Sequence, residues 1–228
     1  MIDFIFPEIP EWYTAKKSIE NGLIGKIINI NVDWKFLSYD LKNKIKSWKT
    51  DVEQGGGALS FYFSHTFYYL EYFMGRIKNI QCTLSGSEKN MNNGETIINM
   101  SMIFENECIG NAHMDISYTG QQTHTIEFQG EDGTILLKNE SNDFVDNFEL
   151  TVDNLKGTQK VTPIIGLDSP KNESEDSRVK VVKPIAERFI EWCNTGVPAK
   201  PSFQNGTRVQ ELIEMARASN SSPRNTSK

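Results

Sequence analysis

The sequence predicts an α+β protein built on a mostly antiparallel sheet. Residues 25–36 alternate apolar Ile28, Ile30, Val32, Trp34 and Phe36 with polar neighbours, the period of a strand with one wet face. Six short β-type segments follow between 77 and 152 (77–85, 95–105, 107–118, 122–129, 133–139 and 144–152), punctuated by Asn92-Asn93-Gly94, Glu105-Asn106 and Glu131-Asp132-Gly133. Hairpins in series imply a meander. Helical periodicity brackets this run on both sides, and strands grouped between helices point to the α+β class.

The remaining elements follow in order. Residues 8–22 read as a helix, with Pro10 in its first turn, Trp12, Ala15 and Ile19 on one face, and Asn21-Gly22 as a stop. Residues 37–54 are polar and Lys-rich around Trp48, a loop that ends in Gly55-Gly56-Gly57. Ala58 to Phe73 is apolar or aromatic nearly all round, so that helix is buried, with Gly75 as its C′ residue. Residues 166–178 read as a mobile surface loop. Val182 to Asn194 reads as a helix with Pro184 in its first turn and Gly196 beyond its end. The last helix starts at Asn205, an N-cap, and continues through Val209, Leu212, Ile213 and Ala216; residues 219–228 form a polar tail expected to be disordered.

Composition narrows the function classes. Hydrophobic residues make up 38% and charged residues 24% of the chain, with 13 Phe, 7 Tyr and 4 Trp, too aromatic for disorder and too polar for a membrane protein. Twenty-four Lys and Arg against 30 Asp and Glu leave a net charge of −6, which argues against nucleic acid and anionic lipid as partners. Cys82, Cys108 and Cys193 have no C-x-x-C spacing, so neither a disulfide framework nor a metal site follows, and buried or half-buried free thiols are expected. The N-terminus carries no basic n-region and no stretch suits a spanning helix, so the expected compartment is the cytoplasm.

The candidate site lies between Trp48 and His65. Three consecutive glycines are kept where φ > 0 or a close approach is needed, and a helix N-terminus offers unpaired N–H groups to an oxygen-rich ligand. Gly56 and Gly57 therefore read either as a ligand cradle or as a structural tight turn. Trp48 and nearby Tyr rings can stack on a sugar, while Lys46, Gln54 and His65 can hydrogen-bond hydroxyls; a solvated loop and an aromatic core fit the same residues. His65, among Phe61, Tyr62, Phe63, Tyr68 and Tyr69, reads as an acid, base or hydroxyl donor, or as a hydrogen-bonded core residue. His113 and His124 read as structural.

An ordered motif set adds to this. Glu8-Ile9-Pro10-Glu11-Trp12, Ile19 to Ile27, Gly55-Gly56-Gly57-Ala58-Leu59, Ser64-His65, Leu70 to Gly75, Gly130-Glu131-Asp132-Gly133-Thr134, Phe189 to Gly196, Pro201 to Gly206 and Val209 to Ala218 resemble the C-terminal domain of the glucose-fructose oxidoreductase / inositol dehydrogenase (Gfo/Idh/MocA) family. The resemblance implies an open sheet with helices packed on one face and the other face available for subunit pairing, hence a homodimer or higher oligomer. It also implies NAD(P)-dependent oxidation of a sugar, inositol or polyol, with His65 in the pocket as the catalytic residue. Two departures stand out: Phe61 replaces the family's Asp four residues before the His, and no G-x-G-x-x-G or catalytic Glu-Lys-Pro segment is present.

The domain reading is therefore residues 1–7 as an orphaned linker or strand from a missing Rossmann domain, 8–218 as the substrate and oligomerisation domain, and 219–228 as a tail. No cofactor-binding residues are expected in this chain; NAD or NADP would be held by another domain or a separate Rossmann-domain chain, leaving this chain inactive alone. The alternation of Ile2, Phe4 and Phe6 suggests an apolar edge that is poorly ordered or pairs with another chain. The other readings are a non-catalytic sugar-binding module and a dimerisation module, the latter with Ile97, Met100, Met102, Phe104, Ile116 and Tyr118 supplying an apolar sheet face.

Overall fold

The computed structural model describes residues 1–86, 93–163 and 176–220, so most of the expected loop over 166–178 and of the tail over 219–228 lies outside the described residues. Its centre is an open eight-stranded sheet of order β2-β3-β4-β1-β5-β6-β7-β8. The strands are β1 (Ile27–Lys35), β2 (Ile77–Ser85), β3 (Ile97–Phe104), β4 (Ile109–Asp115), β5 (Thr123–Gly130), β6 (Gly133–Asn139), β7 (Glu149–Asn154) and β8 (Gly157–Lys160). Every neighbouring pair is antiparallel except the central β1–β4 pair. The helices are α1 (Pro10–Glu20), α2 (Tyr39–Lys42), α3 (Ala58–Phe61), α4 (Phe63–Met74), α5 (Val179–Thr195) and α6 (Phe203–Ser219). Among the described residues no helix is long and apolar enough to cross a membrane.

The period-two pattern decides which sheet face is covered. Ile30, Val32 and Trp34 of β1, Met100, Met102 and Phe104 of β3, and Ile126 and Phe128 of β5 are buried beneath the helices. The opposite face carries Asn29, Asn31, Asp33, Lys35, Asn99, Ser101, Asn111 and His113, all at least partly exposed. Side-chain bonds cross this face: Asn111 donates to Asn31 (3.2 Å), Ser101 to Asn111 (3.1 Å), and His113 Nδ1 meets Asn99 Oδ1 (2.8 Å). The apolar pairing face expected from Met100, Met102, Phe104 and Ile116 is thus corrected, because those four side chains belong to the core; of the expected set Ile97 lies on the open face, which is mixed, with exposed Ile103 and Ile109 beside its polar residues.

Three element boundaries also differ. Residues 144–148 are not strand, because Asn139 Nδ2 and the Asp143 carboxylate bond the backbone of 143–146 and leave the ladder to begin at Glu149. α5 begins at Val179, so Pro184 lies inside the helix rather than in its first turn. Ser202, not Asn205, is the N-cap of α6; Asn205 sits at N3 and its side chain accepts from the Ser202 N–H at 2.9 Å, a capping box.

The N-terminal segment overturns the expectation of an unpartnered, poorly ordered edge. Phe4, Ile5 and Phe6 are buried in the main hydrophobic cluster, and a 3-10 turn over Phe6–Glu8 bends the chain before any strand forms. Phe6 is the hub of an aromatic cluster: it stacks on Trp12 at 5.0 Å and meets Trp34 (5.5 Å), Tyr69 (5.8 Å) and His124 (5.3 Å) edge-on. Upstream, the Ile2 N–H donates to the Pro201 carbonyl at 3.1 Å. Truncating Phe6 to Ala is expected to cost about 3–5 kcal/mol in urea unfolding. Leu155→Ala, at a fully exposed position, is expected to stay within about 0.5 kcal/mol.

Candidate functional site

The site is organised by how the glycine turn enters α3. Gly55 and Gly57 take φ of +84° and +97°, conformations that L side chains rarely adopt. The Gly56 and Gly57 amides donate to the carbonyls of Asp51 and Lys49, each at 2.8 Å. A Cβ on Gly56 would strike the Trp48 carbonyl, and one on Gly57 would strike the side-chain carboxylate of Glu95. That carboxylate is what packs against the turn.

Glu95 is buried and caps the helix from a distant part of the chain. Its Oε1 accepts from the Leu59 N–H at 3.0 Å and its backbone carbonyl accepts from Ala58 N–H at 3.0 Å. Arg217 of α6 brings Nη2 to 3.8 Å from Glu95 Oε1 and donates to Ser60 Oγ at 2.9 Å. The helix-start donors that the sequence reserved for an oxygen-rich ligand are therefore engaged by the protein's own carboxylate. Thirty-six residues separate Glu95 from Leu59, so no local signal announced the pair.

A dinucleotide does not fit this turn. Its pyrophosphate needs free N–H groups between a parallel strand and a helix. Here the turn follows a 3-10 segment (Val52–Gln54), and a buried carboxylate at the helix start opposes a second anion.

His65 is the third residue of α4, two turns beyond the glycines. The residue is half-buried, with Phe4 and Phe6 edge-on to its ring at 5.6 and 5.9 Å, and Nδ1 is buried with no hydrogen-bond partner among the described residues. Burial pushes its pKa down to about 4, so the imidazole is neutral at pH 7. Tyr68, stacked on Phe4 at 4.4 Å, and Tyr62 are both pushed up to about 12, chiefly by burial, and remain hydroxyl donors. Phe61 meets Trp48 at 5.5 Å and Tyr62 at 4.8 Å, both edge-on, with the Lys49 ammonium 5.0 Å above its ring. Aromatic rings thus run from the exposed loop to the helix that carries His65.

The other expected site residues are placed less directly. Trp48 is half-exposed and joined to the helix through Phe61. Gln54 is exposed and donates to Asp51 at 2.7 Å, and Lys46 is exposed on the preceding loop; the structure brings neither into contact with His65. Gly56 and Gly57 are buried inside the turn. Glu95, Arg217 and Phe4 are additions that the sequence did not single out. His124 is a core residue, stacked on Trp34 at 4.4 Å; its Nε2 meets the Tyr69 hydroxyl at 3.2 Å, and burial lowers its pKa to about 3. Among the cysteines, Cys82 and Cys108 are buried as expected, whereas Cys193 is exposed.

Two outcomes follow for stability. Glu95→Ala leaves Arg217 and the helix start uncompensated and is expected to cost about 2–4 kcal/mol by urea unfolding, with Glu95→Gln recovering part because it keeps an acceptor for the Leu59 N–H. Both His65 and His124 have folded pKa values below the ordinary 6.5, so between pH 6.5 and about 4 the unfolded chain binds protons that the folded chain refuses. Stability is therefore full above pH 6.5 and falls on acidification by about 1.4 kcal/mol per pH unit for each histidine. Urea titrations of His65→Asn across this range should show the slope reduced by one histidine's share; an unchanged slope would exclude the buried, neutral imidazole.

The oxidoreductase family's C-terminal alpha/beta domain matches residues 16–226. An uncharacterized oxidoreductase of Synechocystis is 26% identical, with 94% of this chain and 61% of the relative covered. The chain thus spans about three fifths of the length of this curated relative. Among solved structures, levoglucosan dehydrogenase with NADH and levoglucosan has a TM-score of 0.78 at 21% identity, covering 96% of this chain and 63% of that one. The aldose-aldose oxidoreductase from Caulobacter crescentus, complexed with glycerol, has a TM-score of 0.76 at 17% identity, covering 96% and 61%. At these identities the structures attest the fold, and the matched domain over 16–226 decides the family: the chain belongs to the Gfo/Idh/MocA oxidoreductases, as their C-terminal alpha/beta domain.

Proposed function

We propose that this chain is the substrate-binding and oligomerising domain of an NAD(P)-dependent oxidoreductase that acts on the CH–OH group of a sugar, an inositol or a related polyol. The observation that carries the reading is His65, a neutral, half-buried imidazole at the end of an aromatic wall. A polyol recognised here lays the apolar face of its ring on Trp48 and Phe61 and directs a hydroxyl at His65. Lys46 and Gln54, on the loop that carries Trp48, supply further hydrogen bonds, and Gly56 and Gly57 fix the turn beneath. Sugar-active neighbours such as levoglucosan dehydrogenase support this substrate class.

The chemistry of His65 follows from its surroundings. Neutral at pH 7, it accepts a hydrogen bond from a substrate hydroxyl. Full proton transfer is a different matter, because a base with a pKa near 4 needs its imidazolium stabilised, and here Phe61 replaces the expected acid while Nδ1 meets no acceptor. His65 therefore orients and polarises the hydroxyl. The dinucleotide belongs to another domain, since Glu95 fills the glycine turn, and the chain alone binds substrate without turning it over. The polar bonds spanning β1, β4 and β3 favour the open face as the surface that pairs subunits.

Titrating the purified chain with levoglucosan, glucose and myo-inositol while following tryptophan fluorescence tests the site. Saturable millimolar binding of at least one is expected, weakened about tenfold by Trp48→Ala and by His65→Ala, with NADH fluorescence unaffected by the chain. Binding indifferent to both substitutions would remove the site. Tight NADH binding by the chain alone would remove the division of labour.

A further inference from the structure

A hollow of about 200 Å³ lies between the end of α4 and the start of α6, and His65 is not among the residues that line it. Gly75, at φ of +83°, ends α4 and turns the chain so that Arg76 lines this hollow. One wall is an ion pair whose two side chains are each 17% exposed: Arg208 donates to Glu71 Oε1 through Nε at 3.0 Å and Nη2 at 2.9 Å. Arg208 Nη2 also donates to the Ile77 carbonyl at 2.8 Å, and Glu71 Oε1 accepts from the Ile77 N–H at 2.9 Å. Glu71, the one carboxylate among the described lining residues, is therefore fully engaged.

The polar groups left free around the hollow are donors. Asn205 spends its side-chain oxygen on the capping box with Ser202, which leaves its NH2 group. The Tyr68 and Tyr72 hydroxyls have no hydrogen-bond partner among the described residues, and burial pushes both phenols up to about 12, so each keeps its proton. The Lys200 ammonium has no ion-pair partner among the described residues, and Arg76 has one loose partner, the exposed Glu105 at 3.7 Å. The acids whose charge reaches Tyr68 and Tyr72 are held elsewhere, Glu8 by Arg188 and Glu20 by Lys17. Arg76 and Lys200 thus bring two positive charges that no buried carboxylate balances.

Size and chemistry select the occupant. The volume is below the roughly 300–1,000 Å³ of pockets for drug-sized ligands, so the ligand is small. Donors alone, two of them cationic, match a group whose oxygens only accept, and charge-assisted N–H···O bonds to phosphate are among the strong ones. From this arrangement we propose that the hollow between α4 and α6 binds a phosphate group, held by Arg76 and Lys200 and by donors from Tyr68, Tyr72 and Asn205. It is a second site, independent of the polyol reading. A free phosphate ion and the phosphate of a small ester offer these donors the same chemistry.

Calorimetric titration of the purified chain with inorganic phosphate, at an ionic strength held constant with sodium chloride, tests the site. Saturable millimolar binding is expected, with a rise in melting temperature that chloride does not reproduce. Arg76→Gln with Lys200→Gln is expected to weaken binding at least about tenfold. Tyr72→Phe keeps the ring beneath the Lys16 ammonium, removes only the hydroxyl, and is expected to weaken binding about fivefold. His65→Ala is expected to leave phosphate binding unchanged, which separates this site from the polyol site. Methyl phosphate measured alongside names the source: tighter binding of the ester supports a phosphorylated small molecule, and equal or weaker binding supports the free ion. Absence of saturable binding would overturn the proposal, as would acetate bound as tightly as phosphate. If the double Gln variant melts below the wild type without phosphate, Tyr68→Phe with Tyr72→Phe decides, and unchanged binding in that variant would overturn the site.

Discussion

The Glu95 carboxylate at the start of α3 is the constraint on which the site depends. A buried carboxylate is costly unless hydrogen bonds and an opposite charge compensate it, and Leu59 N–H and the Arg217 guanidinium supply both. The contact ties the chain entering β3 to the turn before α3 and to the end of α6. Only glycine at 57 leaves room for it, which explains the turn without invoking a ligand. The pinned start of α3 leads through Tyr62 into α4, where His65 stands two turns beyond the glycines. The same carboxylate makes this helix start hostile to phosphate, so one interaction both builds the His65 site and excludes a dinucleotide from the turn.

A second network holds His65 from the other side. Phe6 joins α1 through Trp12, the sheet through Trp34 and α4 through Tyr69, so an N-terminal segment without strand pairing becomes the keystone of the aromatic core. The network carries a cost. The imidazole of His124 is enclosed, with no partner for Nδ1 among the described residues, and tolerates burial as the neutral form hydrogen-bonded to Tyr69. His65 is neutral for the same reason of desolvation, yet it keeps partial access to solvent. Access, rather than the direction of the pKa shift, separates the candidate site residue from the structural one.

What could be read from the sequence were the features whose cause is local. Alternation in Ile28 to Phe36 and the turn signals after Ile77 located the strands, because pleat and hairpin chemistry act over a few residues. The aromatic composition of 58–73 implied a buried helix, and the segment is helical and largely buried, though it breaks at Tyr62 into α3 and α4. The failures share a different cause. Ile2, Phe4 and Phe6 alternate like a strand, yet tertiary burial against Trp12 and Tyr68 and the turn over Phe6–Glu8 override the pattern. Met100 and Met102 were assigned to the wrong sheet face because period two gives alternation but not which set faces the helices. Glu95 was invisible for a similar reason, since a cap contributed from 36 residues away leaves no spacing to detect.

The chemistry that His65 lacks has a direction. Its immediate walls are Phe4 and Phe6, its Nδ1 has no acceptor among the described residues, and the residue one turn before it is Phe61, so these walls give an imidazolium no support. Oxidation of a CH–OH group takes a hydride from carbon and a proton from oxygen, and a neutral imidazole so walled can hold the hydroxyl oxygen's proton in a hydrogen bond but gains no stabilisation from these walls if it takes that proton.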